Sequence, residues 1–152
     1  MATVHDSDKW EIGKLYRIAT LNIQGLGSHN LGKMELLEIW AEENNIDIIL
    51  LQETHLNITK TERRGRYTIF YSGDESSAST HTPAGVAIMI HNKHKNTIAD
   101  INPMSDRIMT LELRGTEPHT LINTYLHTAK DHEKNNKIYD QLDKLSQTAG
   151  AA

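Results

Sequence analysis

The sequence contains no cysteine, which excludes disulfide bonds and every cysteine-based metal site. Stability must therefore come from a hydrophobic core. With 152 residues, 38% of them hydrophobic, the chain is long and apolar enough for one domain with such a core. The lack of cysteine also fits an intracellular protein, because nothing in the chain depends on an oxidising compartment.

Long hydrophobic runs and an excess of basic residues are missing as well. Residues 1–14 lack the apolar segment of a signal peptide, and no stretch approaches the roughly 20 apolar residues of a membrane-spanning helix. Twenty acidic residues outnumber sixteen Lys and Arg, which gives a net charge of −4. We therefore expect a soluble chain with no membrane partner, on which any nucleic-acid surface is a local basic face.

Apolar periodicity divides the rest of the chain into strands and helices. Residues 1–14 are polar and predicted to be flexible, residues 15–147 to form the domain, and residues 148–152 to be a short tail. The predicted strands cover 15–23, 46–52, 66–72, 84–91, 97–101, 106–113 and 119–126, and the predicted helices cover 33–45 and 129–147. This order favours an α/β or α+β fold, in which helices pack on a mixed sheet.

Polar side chains interrupt or end the first two predicted strands. Asn22 lies between Leu21 and Ile23, and Glu53 follows the apolar run "IDIILLQ". If these strands pair in parallel, as a β-α-β unit requires, both residues reach the same edge of the sheet. An amide beside a carboxylate is a plausible corner for Mg²⁺, which prefers oxygen ligands. The alternatives are a turn-initiating amide and a solvated strand end.

The histidines and one basic cluster admit two interpretations each. His55 and His127 either contact the site or lie in loops, and the absence of an H-E-x-x-H motif argues against zinc. The cluster lies in "KTERRGR", on a predicted loop that flanks the site, and comprises Lys60, Arg63, Arg64 and Arg66. It either grips phosphates or forms a solvated loop whose charge Glu62 dilutes.

Five short segments occur together in order: "ATLNIQGL", "LLQETHL", "AGVAIMI", "DRIMTLEL" and "LINTYL". Together they resemble the endonuclease/exonuclease/phosphatase family, which has the DNase-I-like fold. More closely, they are similar to the apurinic-type endonuclease domain of LINE-type (non-LTR) retrotransposon polyproteins. The resemblance runs from about Leu15 to the last predicted helix. The segment "QETHL" favours this branch over the sphingomyelinase and deadenylase branches.

The resemblance implies a function and a set of roles. Family members hydrolyse phosphodiesters with Mg²⁺ or Mn²⁺, and the retroelement branch nicks DNA in the nucleus and leaves a 3′-hydroxyl. Asn22 matches the asparagine that arranges metal and phosphate, and Glu53 matches the glutamate that binds the cation. Tyr125 matches the tyrosine that contacts the scissile phosphate or the nucleophile. The family fold is a four-layer sandwich of two sheets flanked by helices.

The chain departs from the family pattern in two places. Leu126-His127-Thr128 replaces the usual Ala-Pro after the tyrosine, and the later Gly-Asp-x-Asn and Ser-Asp-His motifs have no counterparts. We therefore expect the N-terminal half of the fold, with one mixed sheet and flanking helices, and no catalysis by this chain alone. An exposed inner sheet face would then meet a missing C-terminal half or a second copy. A fragment, a truncated reading frame and a stable half-domain all remain open.

Two other functions are compatible with the same segments. The chain could be a catalytically dead half-domain, an element remnant or a binding module that keeps the fold. It could also be a lipid or inositol-phosphate phosphatase, although "QETHL" argues for the nuclease branch.

Overall fold

Eight strands and two long helices follow one another in the part of the chain that the structure describes. The computed structural model describes residues 15–27, 30–76 and 82–150, so the predicted flexible segment 1–14 lies outside it. The elements are β1 (Ile18–Asn22), α1 (Lys33–Glu43), β2 (Ile48–Gln52), β3 (Lys60–Arg64), β4 (Tyr67–Ser72), β5 (Val86–His91), a 3₁₀ helix (Asn92–Thr97), β6 (Ile98–Pro103), β7 (Ile108–Leu113), β8 (His119–Thr124) and α2 (His132–Gly150). Neither long helix could cross a membrane.

The first sheet is mixed, as predicted. Its strand order is β1-β2-β5-β4-β3; β1 and β2 are parallel, and the remaining pairs are antiparallel. Helix α1 connects β1 to β2 and packs Met34, Leu37 and Ala41 onto one face. The expected mixed sheet with a flanking helix is confirmed.

A second, antiparallel sheet of order β6-β7-β8 covers the other face of the first sheet. Ile48, Ile88 and Ile90 from the first sheet form one core cluster with Met109 and Leu111 from β7. Burying apolar surface stabilises by about 25 cal/mol per Å², which accounts for the continuous apolar runs of β2 and β5. The expected exposed inner face, and self-association through it, is therefore wrong: the strands after β5 bury that face.

The segment "KTERR" is an edge strand and not the predicted loop. β3 forms a hairpin with β4 around Gly65, whose φ is +54°. Its charged side chains disfavour a buried strand but suit an edge, where they discourage further strand pairing. Pairing with the more apolar β4 overrides the weak strand propensity of the segment.

The end of α1 follows the sequence closely. The Asn44 side chain donates to the Trp40 carbonyl at 2.8 Å, and Asn45 adopts the left-handed conformation with φ of +52°. An asparagine tolerates this conformation and ends a helix for that reason. Trp40, which shares the helical spacing of the buried residues, is 45% exposed.

Candidate active site

The parallel register of β1 and β2 brings Asn22 beside the end of β2. Asn22 pairs with Gln52 in the ladder, and Ile23 N donates to the Gln52 carbonyl at 2.9 Å. The segments that follow β1 and β2 also stay side by side, because Gly25 N donates to the Glu53 carbonyl at 2.7 Å. Both polar residues therefore lie at one sheet edge, as the β-α-β interpretation requires.

The carboxylate of Glu53 is the centre of the site. Its Oε1 atom accepts hydrogen bonds from Asn22 Nδ2 and from the Tyr125 hydroxyl, both at 2.7 Å. Tyr125 follows β8, so the site joins the two sheets. Asn22, Glu53 and Tyr125, to which the family resemblance assigns roles, therefore lie together in this structure.

Hydrogen bonding sets the charge state of this group. The bond from Asn22, followed by the bond from Tyr125, lowers the pKa of Glu53 against the opposing effect of burial. Burial, followed by the bond to Glu53, raises the pKa of Tyr125. At neutral pH the site therefore holds a carboxylate and a protonated phenol.

The backbone around Glu53 is strained. Glu53 and His55 have φ values of +55° and +58°, which residues with side chains rarely adopt. Thr54 N and His55 N donate to the carbonyls of Gly85 and Ala84, which fixes the turn. Gly85 has φ of +97°, and a Cβ there would overlap Thr54 Oγ1. The turn that aims Glu53 therefore depends on a glycine in a different loop.

His55 lies in the loop after β2, beside Glu53. Its Nε2 lies 3.5 Å from Glu53 Oε2, the carboxylate oxygen that Asn22 and Tyr125 leave unused. A Cβ on Gly25 would come within 2.9 Å of the His55 ring, so that glycine leaves room for the imidazole.

Two basic side chains that the sequence analysis did not select support the site. Lys33 Nζ donates to the carbonyls of Ile23, Gln24 and Gly25 at 2.7, 3.2 and 2.9 Å, which holds the loop after Asn22. The Arg107 guanidinium lies 5.0 Å from the Tyr125 ring centre, and its Nη1 donates to the Tyr125 carbonyl at 3.3 Å. The motif "DRIMTLEL" contained Arg107, but only the β7–β8 register places it beside Tyr125.

A buried asparagine connects the sheets behind the site. Asn123 Nδ2 donates to the carbonyls of Leu51 and Ala87 at 2.9 and 2.8 Å, and its Oδ1 accepts from Gln52 Nε2 at 2.9 Å. Asn123 is 1% exposed. A polar residue inside an apolar strand was the available signal, since buried amides need partners.

Most of the basic cluster lies away from the site. β3 begins at the Glu53 end of the sheet and runs away from it, so Arg64 and Arg66 lie at the opposite end. Carboxylates of α1 and β3 also pair with most of the cluster: Arg64 with Glu35, Glu38 and Glu62, Arg66 with Glu42, and Lys60 with Glu62. The predicted position was wrong for the three arginines, because a strand that runs away from the site replaces the expected loop.

His127 lies in the loop between β8 and α2. Its backbone N–H donates to Asn135 Oδ1 at 2.8 Å. Burial, followed by the positive charges of Arg107 and Lys134, lowers the pKa of the imidazole. The negative charges of Asp131 and Asp106 oppose this shift but are smaller causes.

The site fits a divalent cation only in part. Across residues 15–27, 30–76 and 82–150, no group of three or more His, Asp or Glu side chains is arranged to hold a metal. Glu53 Oε2 could supply one oxygen, and Mg²⁺ commonly takes one or two carboxylates and completes its shell with water and phosphate. Asn22 Oδ1 accepts from Gln24 N at 3.1 Å, so Asn22 acts here by orienting Glu53.

Comparisons with known proteins identify the fold. No family model matches the chain. Craniofacial development protein 2 of Bos taurus is 23% identical over 124 residues, which cover 82% of this chain and 20% of that protein. The AP endonuclease LMAP of Leishmania major superposes with a TM-score of 0.56 at 17% identity, covering 74% of this chain and 40% of that one.

An AP endonuclease of Archaeoglobus fulgidus superposes with a TM-score of 0.50 at 22% identity, covering 73% of this chain and 41% of that one. The chain thus spans about two fifths of each solved structure and a fifth of the curated relative. Over the part that it spans, this chain has the mixed α/β fold of the AP endonucleases, the DNase-I-like fold.

Proposed function

We propose that this chain forms the metal-binding part of a DNase-I-like endonuclease site, which acts on phosphodiester bonds of DNA. The observation that carries the proposal is the pair of 2.7 Å bonds from Asn22 and Tyr125 to one oxygen of Glu53. They fix the carboxylate and leave its second oxygen directed away from both donors. A fixed carboxylate beside a protonated phenol suits a cation and a phosphate group that bind together.

Each side chain has a distinct part in this proposal. Glu53 Oε2 would hold Mg²⁺ or Mn²⁺, with water and phosphate oxygens as the other ligands. Bound there, the cation would neutralise charge that develops on the phosphate during hydrolysis. Asn22 keeps Glu53 oriented. The single hydroxyl proton of Tyr125 is bonded to Glu53, so a phosphate oxygen would have to replace that carboxylate as its acceptor. The neighbouring guanidinium of Arg107 favours an anion at the same place.

The origin of the domain belongs to the same proposal. The segments around Asn22, Glu53 and Tyr125 resemble the endonuclease domain of LINE-type retrotransposons, which nicks chromosomal DNA. We propose that origin, and with it a nuclear location. The AP endonuclease neighbours support the fold on which this resemblance depends.

A second candidate, a binding module without catalytic activity, has one observation in its favour. In the described part of the chain, the side chains that contact Glu53 are Asn22, Tyr125 and His55, and no second carboxylate joins them to orient a water molecule. Hydrolysis requires a group that activates water, and catalytic residues that act as a unit lose most of the rate when one is missing. We therefore propose that these residues bind metal and DNA but do not sustain turnover alone.

The test separates metal binding from catalysis. Mn²⁺ is titrated into isotope-labelled protein, and paramagnetic broadening is followed for the backbone amides of Thr54 and His55. Broadening in the wild type that disappears in Glu53→Gln supports the site, and broadening that survives in the variant contradicts it. Lys95→Gln, an exposed change outside the site, is the matched control and should broaden like the wild type.

Catalysis is measured under single-turnover conditions on supercoiled plasmid with Mg²⁺. We expect no nicking above that of Glu53→Gln. Nicking by the wild type that Glu53→Gln abolishes would overturn the proposed inactivity and eliminate the binding-module alternative. It would also establish the nuclease function directly.

A further inference from the structure

A groove lined mainly by polar and positively charged residues lies beside the candidate site, between the loop after Tyr125 and α2. Its volume is about 450 Å³, and it is lined by His127, Lys134, Lys137, Ile138, Asp140, Gln141 and Lys144. We call this surface the α2 groove. Of its residues, only His127 was a candidate site residue in the sequence analysis.

The lysines of the α2 groove form one row. Positions 134, 137, 141 and 144 are three or four residues apart, so their side chains share one face of the helix. At 1.5 Å per residue, the row from Lys134 to Lys144 is about 15 Å long. All three lysines are exposed. Within the described part of the chain, no carboxylate lies within 4.0 Å of their ammonium groups, in contrast to Arg64.

The row is fixed relative to the site. Asn135, 7% exposed, accepts from His127 N at 2.8 Å and donates to the carbonyls of His127 and Thr128 at 3.2 and 3.3 Å. Ile138, one turn later, is 5% exposed. These contacts attach the first turns of α2 to the loop that follows Tyr125. The position of the lysine row relative to the candidate site is therefore fixed.

Positive side chains lie both at the site and in the row. Arg107 stacks on Tyr125, and the charges of Arg107 and Lys134 act on the His127 imidazole more strongly than the opposing charges of Asp131 and Asp106. Asp140 lies in the groove and offsets one of these charges. Among the residues that line the groove, three lysines face one aspartate, so the excess there is positive on a chain whose net charge is −4.

We infer that the α2 groove binds the sugar–phosphate backbone of the DNA strand on the side of Tyr125 away from Glu53. This inference rests on the proposed nuclease function of the Glu53 site. One DNA strand carries a phosphate every 3.4 Å of helix axis, so a 15 Å row spans about four phosphates. Such contacts position the duplex without reading its sequence.

The test is the salt dependence of DNA binding. Fluorescence anisotropy of a labelled 20-base-pair duplex is measured across a KCl series, in EDTA so that no metal contributes. In the variant Lys134→Gln/Lys137→Gln/Lys144→Gln, the slope of log K against log [KCl] should fall by about 2 to 3, since each phosphate contact contributes about 0.9. The control Arg63→Gln/Arg66→Gln/Lys95→Gln removes the same charge from exposed positions elsewhere.

Three results would overturn the inference: no binding by the wild type, an unchanged slope in the α2 variant, or an equal loss in the control. Far-ultraviolet circular dichroism and thermal melting confirm that the variants fold. The outcome is independent of the metal titration. If the slope falls in the α2 variant but Mn²⁺ broadening is the same in Glu53→Gln as in the wild type, the nuclease site is refuted and the α2 groove stands. If the slope is unchanged but the broadening disappears in Glu53→Gln, only the α2 groove is refuted.

Discussion

The Tyr125 hydroxyl donates a 2.7 Å hydrogen bond to Glu53, although the two residues follow strands of different sheets. The side chain of Glu53 is 21% exposed, so the bond forms at a partly solvated edge of the sandwich. The contact is possible because β2 lies in the first sheet directly opposite β8 in the second. It makes the charge state of the site depend on how the sheets pack.

Tyr125→Phe should raise the pKa of Glu53 towards its ordinary value. The phenol donates to the charged form of the carboxyl, so its removal disfavours that form. Asn22→Ala should raise the pKa further, because the Asn22 bond is the larger cause of the shift. Carbon-detected NMR titration of the Glu53 carboxyl measures both. Tyr139→Phe, an exposed change on α2, should leave the titration unaltered, and equal midpoints in all proteins would refute the proposed cause.

Asn123→Ala should lower the free energy of unfolding by about 2–4 kcal/mol. The change removes a side-chain donor from two buried carbonyls, whereas the Gln52 amide keeps its bonds to Thr20 and Leu50, and an unsatisfied buried group costs about 1–3 kcal/mol. Urea unfolding followed by circular dichroism measures the loss. Asn136→Ala on the exposed face of α2 is the control, for which we expect a change within about 0.5 kcal/mol. Similar losses in both variants would contradict the bridging role.

Gly85→Ala should destabilise the protein by about 2 kcal/mol or more and displace Glu53. A side chain is strained at φ of +97°, and the new Cβ would overlap Thr54 Oγ1. Gly27→Ala provides the comparison, since a Cβ there meets nothing within 4 Å. Urea unfolding gives the energies, and Mn²⁺ broadening at Thr54 reports the displacement. Normal broadening in Gly85→Ala would show that the turn does not depend on this glycine.

Asp47 should make stability depend on pH at the opposite end of the sheet. Burial raises its pKa, but hydrogen bonds from Arg17 N, His94 and Lys93 outweigh burial, and the net shift is downward. A carboxyl with a lowered folded-state pKa stabilises the protein above its unfolded value of about 3.9, and this contribution disappears as the pH falls through the folded value. The pair with His94 is short, at 2.6 Å.

The stability difference between wild type and Asp47→Asn should therefore be largest near neutral pH and shrink below about pH 4. Urea unfolding at pH 7, 5, 4 and 3 measures it. Asp100→Asn, on an exposed position of β6, should show a small difference at every pH. A difference that grows on acidification would mean that the sign of the Asp47 shift is wrong.

Apolar periodicity was enough to predict most elements and one half of the site. The runs "IDIILLQ" and "ATLNI" predicted a parallel pair, and that pairing alone brings Asn22 to Glu53. The alternation of apolar and polar residues identifies a strand but not the strand it pairs with. The separate sheet of β6–β8 was therefore not predicted. β3 was missed because its five charged or polar residues form a strand only when β4 pairs with them.

The supporting residues were harder to predict for a physical reason. Lys33 acts on backbone carbonyls of a loop, which leaves no pattern in neighbouring side chains. The polar Asn123 inside an apolar strand indicates that it needs partners, but not that these are carbonyls of two other strands. The left-handed turn at Glu53 depends on Gly85, thirty-two positions later. Such interactions exist only after the chain has folded.

Because the Glu53–Tyr125 hydrogen bond joins the two sheets, its length reports how closely the sheets pack at that point. At 2.7 Å, it exceeds hydrogen-bonding distance if the sheets separate there by about 1 Å. Substitutions deep in the interface between the two sheets, far from the candidate site, should therefore change the pKa of Glu53. If Glu53 binds a cation as proposed, its affinity for that cation and the packing of the core should change together.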